Sequence, residues 1–364
     1  MKPELFNRLG SLAVCALFFI LSASAMADTT FEGKTIKWIV PFAESGGSDT
    51  WARFNAKFLS RHLPGKPTIE IVNEPGGSGT RGPNTFARKA EPNGLTVLGT
   101  SGSTQFPYLL GDLRVQYDYR DWEVLAVAPT GGVIYVAPET GVDGTESIKK
   151  LLGQTLVFPS QGPTSLDLVP MLAFRLLGLD VSYVFGYMGR HDGIVAMDRG
   201  EATIDYQTTA SYLRNVLPRV HDGRAVPLMS LGVLDEDGSI IRDPTFPDLP
   251  TVEEVYEMLH GEPPSGINYD AYRTFNIAGF AGQKMVVLPQ ETPAEIIEVW
   301  RQAWRDTLND PEYRATVHSV LGAYEQVTDR AAEHLFREAT TIEPHSRRYI
   351  IDLLSNEYAV RLRE

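Results

Sequence analysis

The sequence predicts an α/β protein of two lobes joined by strands that cross between them. Three observations carry that expectation. Short apolar runs alternate with amphipathic stretches along most of the chain, the pattern of sheets covered by helices on both faces. The length of 364 residues suggests two domains rather than one. Finally, no linker rich in Gly and Ser, no internal repeat and no low-complexity tract divides the chain, so two lobes would have to share crossing strands.

The elements follow in order. "KTIKWIVPF" reads as a buried strand, and "SDTWARFNAKFLSRHL" as a helix capped by Ser48 or Asp49, with Trp51, Phe54, Phe58 and Leu59 on one face. "PTIEIVN" is a second strand, and "PNTFARKA" opens a helix with Pro83 in its first turn. "GLTVLGTS" is a third strand. The runs "TLVFPS", "VSYVFGY", "ATIDYQT" and "AVPLMSLG" are further strands, separated by helical stretches such as "SLDLVPMLAFRLLG". "TVEE" places Thr251 and Glu254 in a capping box, and "TPAE" places Thr292, Pro293 and Glu295 likewise. "DEDGSIIRDPTFPDLP" and "HGEPPSGINYD" read as surface loops.

Residues 1–27 lie outside this pattern. Lys2 and Arg8 precede the apolar run "LGSLAVCALFFIL", and Ala25 and Ala27 offer an A-x-A site, the order of a secretory signal peptide cleaved before Asp28. The run is shorter than the ~20 apolar residues that span a bilayer. Cleavage removes Cys15, the single cysteine, and with it any disulfide, thiolate metal site or cysteine nucleophile. The net charge of −13 becomes −14 once Lys2, Arg8 and Glu4 are gone. That balance argues against nucleic acid and anionic membrane surfaces. A small anion in a cleft remains compatible, because screening limits distant charges to roughly 8 Å.

Gly77, Gly79 and Gly82 in "NEPGGSGTRG" spell G-x-G-x-x-G. A dinucleotide fingerprint should follow the first strand and be answered by an acid ~20 residues on. Here the glycines follow the second strand, and the next strand ends in Thr100 and Ser101. The stretch reads as a tight turn with close strand–helix packing. "PFAESGGSDT" is the stronger constellation, since a small polar loop between a strand end and a helix start presents backbone N–H groups to an anion. "PSQGPTS" repeats it in the second half, and strand three ends in "TSGS". Three such strand ends could surround one carboxylate-bearing ligand. Each taken singly is equally well ordinary turn chemistry.

"IVPFAESGGSDTWARFNAKFL", "IVNEPGGSGTRGPNTFARKAEPNGLTVLGTS", "FPDLPTVEEV" and "LPQETPAEIIEVW", in this order along the mature chain, resemble the substrate-binding proteins of tripartite tricarboxylate transporters, the Bug family. The resemblance implies a bilobed periplasmic binding protein of type II, with lobe one at 28–126 plus 250–364 and lobe two at 127–249. It implies capture of a small organic acid and delivery to membrane transporter subunits, by a monomer, with no enzymatic activity, no cofactor, no metal and no nucleic acid. The implied ligand contacts are Ser45, Gly46, Gly47, Ser48 and Asp49 after strand one, and Thr100, Ser101 and Gly102 after strand three. In lobe two they are Ser160, Gln161, Gly162, Thr164 and Ser165, then Tyr187, Gly189 and Arg190, and finally Tyr206 and Gln207 near Asp205.

Departures from the family pattern concern the ligand. Glu44 and Ser45 replace a proline and glycine, and a carboxylate beside an anion site is unfavourable unless it faces away or meets a ligand ammonium. Met188 replaces a lysine, Leu168 a histidine, and Gln207 an acid. The chain is longer than usual around residues 233–275. Arg190 is either a bidentate grip on a carboxylate or a surface arginine paired with Asp192. His191 can titrate near neutrality, yet the seven histidines show no metal-ligand spacing. The alternatives are a ligand-presenting sensor module or an exported hydrolase, for which no nucleophile elbow declares itself.

Overall fold

The computed structural model describes residues 30–235 and 239–363. The expected leader, residues 1–27, lies outside the described residues. The first lobe opens with strand β1 (Thr35–Val40), helix α1 (Gly47–His62), β2 (Thr68–Asn73), α2 (Arg81–Lys89), β3 (Thr96–Thr100) and α3 (Gly102–Leu110). β1 pairs in parallel with β2 and β3, as strand–helix–strand connections require. β4 (Trp122–Ala128) and β12 (Lys284–Pro289) complete the central part of this sheet, with β12 antiparallel to both β3 and β4. The short β13 (Val327–Thr328) closes the edge, giving the order β13-β4-β12-β3-β1-β2.

Lobe two begins directly after β4. Pro129–Gly131 lead into β5 (Gly132–Val136), which pairs antiparallel with β8 (Ile204–Thr208) and β9 (Val226–Ser230). β6 (Thr155–Ser160) and β7 (Asp180–Phe185) pair in parallel. The Thr203 amide donates to the Val157 carbonyl at 3.0 Å, which brings β6 beside the start of β8. Helix α4 (Leu168–Leu177) is apolar on nearly every face, and nine of its ten residues are buried, so it forms the centre of this lobe rather than its surface. Helix α5 (Arg190–Asp198) covers β6 and β8.

After β9 the chain makes a small hairpin, β10 (Val233–Leu234) with β11 (Ile240–Ile241), then α6 (Val252–His260) and α7 (Ile267–Phe280). Both helices pack on α4, and α7 packs as well on α3 and on the last two helices of the chain, so it bridges the lobes before β12 enters the first sheet. Helices α8 (Ala294–Asn309), α9 (Pro311–Leu321), α10 (Asp329–Ala339) and α11 (Pro344–Tyr358) finish the chain. Trp300 and Trp304 from α8 meet Trp38 of β1 and Trp51 of α1 in the lobe-one core. The Trp51 and Trp304 rings stack at 6.3 Å, an arrangement that adds to area burial.

Local expectations fare unevenly. The Thr251–Glu254 capping box forms, with Thr251 N donating to Glu254 and Glu254 N to Thr251 Oγ1. At Thr292 it does not: the hydroxyl turns back to the Pro289 carbonyl at 2.7 Å, and Pro293 precedes the helix without a side-chain cap. Helix α1 starts earlier than expected. Gly46 occupies the cap position and Asp49 lies inside the first turn, reaching back to the Ser45 amide at 2.9 Å. The stretch expected as a surface loop before Pro250 contributes β11 and the fully buried Asp243, which accepts from the Tyr324 hydroxyl.

Candidate functional site

The two lobes meet along a seam of close contacts. Ser78, in the glycine turn after β2, donates across the seam to the Gln161 carbonyl at 2.8 Å. Ser103 Oγ accepts from the Leu166 amide at 3.0 Å. Arg114 bonds Thr164 Oγ1 at 2.9 Å, and Thr164 bonds Asp112 at 2.8 Å. Asn215 reaches the Ser45 carbonyl at 3.1 Å. Gly47 lies so near the Thr208 hydroxyl that a Cβ there would collide with it, and a Cβ on Gly102 would sit 2.5 Å from Leu166. The G-x-G-x-x-G stretch thus serves a turn. Gly82 is tight against Pro41, where an added Cβ would lie 3.0 Å from the proline ring, and Ser78 provides an interlobe latch.

In the seam lies a small, partly open cavity with ≈ 30 Å³ of free space, lined from both lobes. Lobe one contributes Phe42, Ala43, Gly46, Gly47, Ser48, Ser101 and Ser103. Lobe two contributes Gln161, Leu166, Arg190, Tyr206 and Thr208, and the returning crossing segment adds Gln283 and Lys284. The first-turn amides of α1 have no intrahelical acceptor, so this helix end favours an anion. Ser101 caps α3 by accepting from Ser103 N at 3.2 Å.

Arg190 is the first residue of α5 and is buried. It is not paired with Asp192, which instead caps the helix by accepting from the Met188 and Gly189 amides at 3.1 Å. The guanidinium binds Asp167 at 3.2 Å and also Asp205, and it donates to the carbonyls of Pro159 at 2.8 Å and Tyr206 at 3.1 Å. It lies over the Tyr206 ring at 4.5 Å. Its Nε is buried without a partner. Both aspartates are further committed: Asp167 accepts from Ser160 Oγ, the Gln161 amide and Tyr206 OH. Asp205 accepts from Tyr135 OH and Gln207. Burial pushes the Tyr206 hydroxyl well above its ordinary range, with the Asp167 charge adding to the effect, so it stays protonated and donates.

Of the residues the sequence singled out, Gly46, Gly47, Ser48, Ser101, Gln161, Arg190 and Tyr206 line this cavity. Ser45, in left-handed conformation at φ 65°, and Asp49 shape the loop from behind; Asp49 is held by Arg53 at 2.9 Å and Asn73 at 3.1 Å. Thr100 and Gly102 flank Ser101 in the buried wall. Ser160 and Gln207 support the two aspartates, and Ser165 bonds the Gly162 carbonyl at 2.7 Å. Gly162 and Thr164 line a separate cleft of ≈ 460 Å³ that also holds Arg114 and Tyr358. Gly189 backs onto Ala43, and Tyr187 is half-buried outside the cavity. Glu44 points outward, its side chain 76% exposed.

Lys284 and Gln283 escaped the sequence reading. Lys284 Nζ donates to Ser48 Oγ at 2.9 Å, and burial without a carboxylate partner draws its pKa down to about 7. The signal was a lysine opening the uninterrupted apolar run "MVVLP", where a strand buried on both faces has no solvent to offer a charge.

No protein-family model matches the chain. A UPF0065 protein of Bordetella pertussis is 31% identical over 270 residues, covering 72% of this chain and 77% of that protein. The chain belongs to the Bug/TctC family of tripartite tricarboxylate transporter solute-binding proteins. Members of this family are non-enzymatic. The fold agrees: a structure of the periplasmic binding protein BugD superposes with a TM-score of 0.66 at 19% identity, over 90% of this chain and 98% of that one. MatC from Rhodopseudomonas palustris, solved with bound malate, superposes with a TM-score of 0.64 at 18% identity, over 87% of this chain and 98% of that one. Among the described residues of this Bug protein, no helix is long and apolar enough to cross a membrane.

Proposed function

We propose that this Bug protein, exported as a monomer to the periplasm through a cleaved leader, captures a small organic carboxylate between its lobes and delivers it to the membrane subunits of a tripartite tricarboxylate-type transporter. The observation that carries this reading is the cavity itself. It is lined from both lobes, supplied with hydroxyls, the cations Arg190 and Lys284 and the start of α1, and among the described residues no carboxylate lines it. Its ≈ 30 Å³ is space for about a water or two, so an acid of malate's size enters only as the lobes part and re-close around it. The proposed contacts are Gly46, Gly47, Ser48, Ser101, Gln161 and Tyr206, with Arg190 contributing only through Nε, since its other donors are engaged by Asp167, Asp205 and two carbonyls. The malate in the MatC structure supports an acid of this class. Capture works by population shift: contacts from both walls exist together only when the lobes close, so a ligand that uses both favours the closed form.

The test is a thermal-shift and calorimetric screen of the purified protein against malate, adipate, aromatic carboxylates and nicotinamide nucleotides. A binding acid at ~100 times its dissociation constant raises stability by about 2.7 kcal/mol and is recovered chemically unchanged. A nucleotide as the sole hit, or turnover of the acid, would overturn the reading.

A further inference from the structure

Lys284 stands at the first position of β12, where the chain recrosses from lobe two to lobe one, and is 4% exposed. Its Nζ has three donors, and Ser48 Oγ accepts one of them. Among the described residues no carboxylate lies within ion-pair distance of it. The surrounding charges are all otherwise engaged. Asp49, next to Ser48, is held by Arg53 and Asn73. Arg190, across the cavity, is neutralised by Asp167 and Asp205. Tyr324, on the far side of Lys284, hands its proton to a bond with Asp243, and Tyr206 donates to Asp167.

A buried ammonium with no counter-ion is costly, and an apolar side chain would continue the run of Met285–Leu288 without that cost. Two further buried groups at the same cavity, Arg190 Nε and Gln283 Oε1, lack hydrogen-bond partners among the described residues. Gly46, Gly47 and Ser48 at the start of α1, whose first-turn amides have no intrahelical acceptor, line the same cavity.

We infer that Lys284 is the anchor of the site: its ammonium, together with Ser48 and the first-turn amides of α1, pairs with a carboxylate group of the ligand. The inference rests on the capture reading above. It has a consequence that a merely structural lysine lacks. With burial holding the unliganded lysine near pKa 7, an arriving carboxylate favours the charged form and raises that value. Binding at pH 8.5 therefore takes up a proton, and affinity is highest below pH 7 and falls as the pH climbs. Unliganded stability runs the opposite way. Between about pH 7 and the ordinary lysine range the unfolded chain holds the proton and the folded one does not, so stability rises with pH through that window.

The experiment titrates malate and adipate into wild type and Lys284→Met by calorimetry, at pH 6 and 8.5, in buffers of different ionisation heat. Wild type is expected to bind at least one acid, more tightly at pH 6, with proton uptake at pH 8.5. Lys284→Met is expected to lose roughly 10- to 100-fold in affinity at pH 6, as for a hydrogen bond to a charged group, and to lose the proton uptake. Its unliganded melting temperature at pH 6 should match or exceed that of wild type, because a buried charge has been removed. Undiminished affinity in Lys284→Met, or a loss of affinity accompanied by a lower melting temperature, would overturn the inference while leaving capture intact. A wild type that binds neither acid, nor any other carboxylate, overturns the capture reading and this inference with it.

Discussion

On the lobe-two wall of the cavity, Arg190 is held by two aspartates and two backbone carbonyls, whereas at the start of β12 Lys284 hydrogen-bonds, among the described residues, only Ser48 Oγ. The first cation is part of a closed network in which nearly every lone pair and proton is used. The second keeps two donors in reserve. Charge near a site therefore says little about ligand binding until its existing partners are counted. A fully satisfied buried network rigidifies a wall, while a buried charge with donors to spare is an invitation to an anion. The two walls also differ in construction. Lobe one offers backbone amides and small hydroxyls from loops, and lobe two offers side chains fixed by strands β6 and β8.

The largest expected effect comes from breaking the satisfied wall. Arg190→Met leaves Asp167 and Asp205 buried, close together and without their cation, and should destabilise the fold by about 3–5 kcal/mol, read by chemical unfolding. A loss below about 1 kcal/mol would show that the network is not the structural element described here. Arg190 and Lys284 then separate cleanly, since removing the first harms the unliganded fold and removing the second does not.

A smaller effect should follow from holding the walls apart. Gly47→Ala places a Cβ against the Thr208 hydroxyl, and overpacking of that kind costs about 1–3 kcal/mol. Because the clash exists only when the lobes are clasped, the cost should appear as roughly 5- to 100-fold weaker acid binding with little change in unfolding. Adding Thr208→Ala should recover much of the affinity, as neighbouring sites couple. A double variant no better than Gly47→Ala would place the fault in the loop and not in the seam.

The smallest effect is expected at Glu44. Its side chain points outward, 3.9 Å from Arg53, so Glu44→Gln should change malate and aspartate affinities alike, by less than about twofold, in line with exposed ion pairs. A selective loss for aspartate would mean that Glu44 turns into the cleft to meet a ligand ammonium.

Much of this molecule was legible in the residues. The alternation of strands and helices, the cap at Thr251, the helix at Leu168–Leu177 and the strand-end loops of both lobes follow from periodicity and local hydrogen bonding, which act within a few residues; that this helix is buried appears only in the fold. The loop 43–49 and the segment 160–165 could be picked out for the same reason. Local reading fell short at Thr292, where the hydroxyl had a competing carbonyl at Pro289, and at Asp49, whose role depends on Arg53 and Asn73 as much as on its own helix.

By itself the sequence determined the α/β class, the two-lobe plan and the strand-end loops, several of whose residues line the interlobe cavity. Only the tertiary structure decided which cation is spent and which is free. Arg190 meets Asp205 from 15 positions away, and Ser48 meets Lys284 from 236 positions away. Such pairings are set by how strands cross between lobes and how the walls close, and no propensity, spacing or cap encodes them. Charge pairing is a property of three-dimensional neighbours, so the partner count that separates an anchor from a strut appears only after folding.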